Sequence, residues 1–224
     1  SSAVPLLLDR REHAMTVPLA LHVSEAFERS ISMPRLQHEF GQMRVQLGRE
    51  LGLPFPGLVI RTRAALKPRE YTLHVNEIPV ARGDLAAGVQ AEPELAQHLL
   101  RIVRRHADEF MGLQETQMLL MRLAEMHPDL DRELQRGVTL PRINEVLRRL
   151  VREGVGVRNL RDIAHALIDW APKEKDTVML TEYVRSALAS QVSHRHADAE
   201  HNLKALVLHP ALEQQLQPSR RQTP

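Results

Sequence analysis

Residues 153–176 read EGVGVRNLRDIAHALIDWAPKEKD, with Arg158, Asp162, His165 and Asp169 at spacings of four, three and four. A helix would align the four on one face. A carboxylate–imidazole–carboxylate row could ligate a divalent metal or relay protons. One helix offers only adjacent ligands, however, and a metal site needs a third from elsewhere with support behind it. Arg158 before Asp162 is also the spacing of an ordinary surface ion pair worth ~0.3–0.5 kcal/mol. A solvated helix face outweighs a metal site here. The stretch HRHADAEH gathers His194, His196, His201, Asp198 and Glu200 within eight residues (194–201), a set that could hold a cation. It reads as a polar loop between a helix and a strand, with nothing to shield a catalytic ion.

Two basic groups stand out: Arg101, Arg104 and Arg105, then Arg142, Arg148, Arg149 and Arg152. Such helices can dock on phosphates. Glu94, Asp108, Glu109, Glu145 and Glu153 interleave with them, so the expected surface is a mixed-charge face meeting water or another subunit. Met111, Met118, Met121 and Met126 are expected in the core and at its margins. No GxGxxG, P-loop or GxSxG pattern occurs. No catalytic, cofactor-binding or metal-ligating residue is assigned, and the chain is read as non-enzymatic.

The composition agrees with that inventory. The 224 residues, 43% hydrophobic and 26% charged, suffice for one large domain or two to three small ones. With no cysteine, disulfides, a thiol nucleophile and thiolate zinc sites are excluded. Aromatic residues at 3% argue against base-stacking platforms. No apolar run approaches the ~20 residues of a membrane helix. Ser1 in place of a Met, without a signal pattern, suggests an excised fragment.

The elements that must position these residues divide into an α+β part and a helical part. VPLALHVS (17–24), LVIRTR (58–63) and YTLHVNEIPV (71–80) are strand candidates. Pro34 opens a helix with Leu36, Phe40, Met43, Leu47 and Leu51 on one face, and Gly52 stops it. Residues 81–94 form a boundary or loop. Helices are then expected over 94–110, 115–126 with Pro128 as terminator, 140–151, the opening stretch to Pro172, and 181–192. NLKALVLHP (202–210) is a strand candidate leading to a short helix at 211–216.

Three longer stretches carry a resemblance. ELGLPFPGLVIRTRAALKPREYTLHVNEIPVARGDL (50–85), HADEFMGLQETQMLLMRLAEMHPDL (106–130) and LPRINEVLRRLVREGVGVRNLRDIAHALIDWAPKEKD (140–176) are joined by SHRHA and LKALVLHPALEQQL. In this order they resemble the type III secretion export-gate family, also called the flagella/hypersensitive-response/invasion export pore family. The wording NEIPVARG and SHRHA resembles its injectisome branch. The resemblance implies the cytoplasmic part of a bacterial inner-membrane protein, joined to the membrane only through an N-terminal transmembrane region missing here. Its expected partners are further copies in a nonameric ring, chaperone–substrate complexes, the export ATPase stalk and gatekeeper or switch proteins. Neither a cofactor nor a nucleic acid is among them.

The expected fold is α+β. A first subdomain covers 1–111, a helical, winged-helix-like third subdomain 112–172, and a partial α/β fourth subdomain 173–224. The family's second subdomain, normally inserted near 86–93, is expected to be absent, leaving the helix around Gln97, His98 and Arg101 as the remaining wall of a chaperone cleft. Exposure makes Glu115, Arg148, Arg158, Arg161 and Asp162 the interface candidates of the ring. A rival reading takes residues 142–152 as the basic helix of a winged-helix nucleic-acid module.

Overall fold

The computed structural model describes residues 16–84 and 91–196, with side chains to residue 189. Strand β1 (Leu19–Val23) is followed by a short helix α1 (Glu25–Ser30) and the long helix α2 (Met33–Leu51). Strands β2 (Val59–Thr62), β3 (Glu70–Val75) and β4 (Ile78–Asp84) complete a sheet of order β2-β1-β3-β4. β1 runs parallel to β2, and the other neighbours are antiparallel. The register places Leu21 beside both Ile60 and Leu73, which gives one face to the core.

The expected strand over 71–80 is in fact a hairpin. Asn76 and Glu77 both take positive φ, 49° and 67°, the geometry of a two-residue type I′ turn. The sequence concealed it because the second turn position carries glutamate where glycine is the usual signal. The boundary assigned to 81–94 shrinks accordingly: β4 extends to Asp84, and helix α3 (Ala91–Arg105) already begins at Ala91.

After a 3-10 turn (Ala107–Phe110) come α4 (Leu113–Met126), α5 (Pro128–Gly137), α6 (Leu140–Arg152), α7 (Leu160–Trp170) and α8 (Thr177–His196). Helix α5 was not expected. Pro128 ends α4 but also occupies the first turn of the next helix, where its missing N–H costs nothing and its fixed φ is preset. Asp129 and Asp131 in that turn favour the positive end of the helix dipole.

The apolar stripes fall where helical periodicity puts them. Leu36, Phe40, Leu47 and Leu51 of α2, Leu95, Leu99 and Val103 of α3, and Ile143, Val146, Leu147 and Leu150 of α6 are buried together with the sheet's Leu19, Leu21 and Leu73. The cluster continues through Ile163 and Leu167 of α7 to Leu180, Val184 and Leu188 of α8. Both parts of the chain therefore share one continuous core. Among the described residues, no helix is long and apolar enough to cross a membrane. Helix α8 runs to His196, so the first three residues of the expected HRHADAEH loop are helical, while the side chains of that cluster and the elements expected at 202–216 lie outside the described residues.

Candidate interaction surface

The end of α2 and the loop ahead of α7 meet backbone to backbone. Gly52 takes φ +81° and caps α2 with its N–H on the Gly48 carbonyl, 2.8 Å. The Val157 N–H donates to the Leu51 carbonyl at 2.8 Å. A Cβ on Gly156 would lie 2.4 Å from the Glu50 carbonyl oxygen, so only glycine allows this approach.

That junction forms the floor of a groove of about 720 Å3 between α2, the C-terminal half of α4 and the start of α7. Leu53, Phe55, Leu119, Leu123 and Val157 give it apolar walls. Arg44, Arg49, Arg122, Arg158 and Arg161 line it, and no carboxylate does. The Arg44 guanidinium donates to the Phe55 carbonyl at 2.7 Å and stiffens the 53–55 turn. Among the described residues, none of the other four arginines is held in an ion pair. Five guanidiniums around an apolar floor favour an occupant that is acidic at its margin and apolar at its centre.

Two of the ring-interface candidates, Arg158 and Arg161, are exposed on this groove. The other three have partners inside the chain. The Glu115 carboxylate accepts from the Gly112 N–H at 3.0 Å and caps α4. Asp162 accepts from the Asn159 amide, while the Asp162 N–H donates to Asn159 Oδ1 at 3.3 Å. Asn159 is thus the N-cap of α7 and Arg158 precedes the helix, so Arg158 and Asp162 are not an i,i+4 helical pair. His165 and Asp169 are exposed on the outer face of α7. No group of three His, Asp or Glu converges among the described residues.

Arg148 and Arg152 close on Asp108, which is buried in the 3-10 turn. The Arg152 Nε and Nη2 donate to Asp108 Oδ2 at 3.0 and 2.7 Å, and Arg148 Nη2 lies 3.7 Å from the same oxygen. The carboxylate holds the Arg152 guanidinium more firmly protonated than usual. Arg149 pairs with Glu145 at 2.9 Å, and Arg142 donates to the carbonyls of Ala171 and Glu174. All four arginines of the expected recognition helix are therefore spent on internal partners, which weighs against a phosphate-binding face.

In the expected cleft wall, Gln97 and Arg101 are exposed on α3. The His98 Nδ1 meets the Tyr71 hydroxyl, and burial pushes the His98 pKa down and the Tyr71 pKa up. The methionines divide. Met111 is buried, whereas Met118, Met121 and Met126 are 42%, 60% and 75% exposed. They were expected in the core and at its margins, and only Met111 is in the core: Thr116, Leu119, Leu120 and Leu123 are the buried residues of α4.

The groove residues of α2 and α4 were not legible in the sequence. Arg44, Arg49 and Arg122 converge from elements more than seventy residues apart, and no local period announces a meeting of that range.

The model of the FHIPEP family matches residues 87–224. The chain is 31% identical to the Low calcium response locus protein D of Yersinia pestis over 263 residues, covering 96% of this chain and 37% of that protein. It is 35% identical to Protein hrpC2 of Xanthomonas euvesicatoria over 206 residues, covering 92% of this chain and 32% of that protein. The chain thus spans about a third of the length of these relatives. A solved structure titled as the nonameric EscV cytosolic domain from the type III secretion system superposes with a TM-score of 0.68 at 25% identity, over 81% of this chain and 67% of that one.

A 263-residue alignment over 96% of a 224-residue chain requires residues in the Yersinia protein that have no counterpart here. A 206-residue alignment over 92% of the chain leaves no room for such an insertion in the Xanthomonas protein.

Proposed function

The chain belongs to the FHIPEP family, in the injectisome branch of the type III secretion export gates, and from that premise we propose that it is a ring-forming protomer of such a gate. In this reading copies assemble through groove-lining Arg158 and Arg161. The assembled face receives chaperone–substrate complexes, gatekeeper or switch proteins and the stalk of the export ATPase, and the protein performs no chemistry of its own. It works at the cytoplasmic face of the bacterial inner membrane, held there by a membrane-spanning region of the whole protein.

The observation that carries the reading is the shared fold with a domain that is itself nonameric. The missing counterpart of the Yersinia residues supports a shortened first subdomain without the inserted second one. The exposed Gln97 and Arg101 of α3, beside the Tyr71–His98 contact, then remain as the chaperone-facing wall. The Xanthomonas protein aligns over 206 residues with 92% of this chain, which leaves no room for an insertion of that size in the matched part.

Mass photometry of the purified chain, followed by negative-stain microscopy, tests the proposal. Rings are expected for the unaltered chain, and Arg158→Glu with Arg161→Glu should lower their yield about tenfold. Absence of any oligomer from the unaltered chain would overturn the ring reading. Rings indifferent to both charge reversals would overturn the assignment of the contact.

A further inference from the structure

We infer that the groove of one protomer receives the Trp170 corner of the next, making the ring contact head-to-tail along α7. The inference rests on the ring reading above and names the second surface that reading requires. A ring with an odd number of subunits cannot be closed by self-complementary contacts. Each protomer must present two different patches that fit one another. The arginine groove is concave and lacks a carboxylate, so its counterpart must be a convex, apolar and acid-bearing patch on the same chain.

The far end of α7 has that character. Helix α7 starts in the groove wall with Leu160 and Arg161 and ends at Trp170, about 15 Å away at the helical rise. Trp170 lies stacked on Tyr183, ring centroids 4.2 Å apart. Beside it Val178 and Met179 at the start of α8 are 47% and 43% exposed. Asp169 immediately before the tryptophan and Asp176 six residues after it are both exposed.

The corner is also held rigid. Arg142 donates to the carbonyls of Ala171 and Glu174, and Asp176 Oδ1 accepts from the Val178 N–H at 2.8 Å. Lys173 and Lys175 share the turn, but the Lys173 ammonium is folded over the Trp170 ring, 5.2 Å from its centroid. An apolar centre with Asp169 and Asp176 before and after it in sequence, and Lys175 beside them, is thus set against apolar walls bearing guanidiniums, a pairing suited to the core and rim of a protein interface.

The absence of cysteine from the sequence makes the test direct. Val45→Cys in the groove and Met179→Cys at the corner both alter exposed side chains, so neither disturbs the core. Under mild oxidation the double variant should give a ladder of disulfide-linked multimers, and an equimolar mixture of the two single variants should stop at one dimer. Adding Arg161→Glu to the double variant should lower the ladder about tenfold, and Asp169→Arg should restore part of it. Rings that form without this cross-link, but with one between cysteines at Met118 and Val45, would overturn the corner assignment and leave the ring reading intact. A chain that forms neither ladder nor ring would overturn both.

Discussion

Asp108 offers the most quantitative test of how the two parts of the chain are joined. Its side chain is 9% exposed and accepts from Arg152 at 3.0 and 2.7 Å, with Arg148 at 3.7 Å. Replacement by alanine removes two charge-assisted hydrogen bonds. Breaking a fully buried pair costs ~3–5 kcal/mol because a charge is stranded. Arg152 is 56% exposed, however, so its guanidinium rehydrates and the loss stays at hydrogen-bond scale. Asp108→Ala should therefore cost about 2–3 kcal/mol, and Asp108→Asn, which keeps an acceptor oxygen, about half of that. Urea unfolding followed at 222 nm reads the difference. The cycle with Arg152→Ala should give a coupling of about 1–2 kcal/mol. A coupling indistinguishable from zero would refute the idea that this contact ties the 3-10 turn to α6.

Two further outcomes follow from the geometry of the loop ahead of α7 and of the sheet. Gly156→Ala forces a Cβ to 2.4 Å from the Glu50 carbonyl, and the backbone shift it demands should cost about 2–3 kcal/mol in the same unfolding assay; a neutral variant would contradict the close approach. His22, on the sheet face away from the core, stacks on His74 with ring centroids 3.9 Å apart, and burial, then His74, Arg63 and Arg61, push its pKa down to about 4. The unfolded chain takes up this proton near the ordinary histidine value while the folded chain resists it, so stability is full above that value and is lost as the pH falls towards 4. Discounted for its partial exposure, the loss from pH 7 to 5 should be about 1 kcal/mol smaller in His22→Gln than in the unaltered chain; identical pH profiles would refute it.

What could be read from the sequence was set by range. Helices announced themselves where an apolar period runs over several turns, as in α2 and α6, whose stripes are buried as expected. Elements decided by one or two residues did not: the Asn76–Glu77 turn lacks its glycine, and Pro128 serves two helices at once. Side-chain partnerships across long separations were equally hidden. Arg142 meets Ala171 twenty-nine residues on, and Asp108 meets Arg152 forty-four residues on. Arginines that looked like a surface face are therefore internal ties. Arg158 and Arg161 were visible as exposed candidates, but the groove that gives them meaning required α2 and α4 to arrive beside them. The opening row of α7 resolves in the same way, with Asp162 held by the cap and His165 and Asp169 turned to solvent.

The proposed ring of export-gate protomers is tested most directly on a membrane surface. The whole protein would hold many copies together on a membrane, a condition restored by tethering the chain through an N-terminal histidine tag to vesicles bearing nickel-chelating lipid. Cryo-electron microscopy of those surfaces should show rings whose class averages carry ninefold symmetry. Densely tethered chains that yield no rotationally symmetric class at any surface density would rule out the ring.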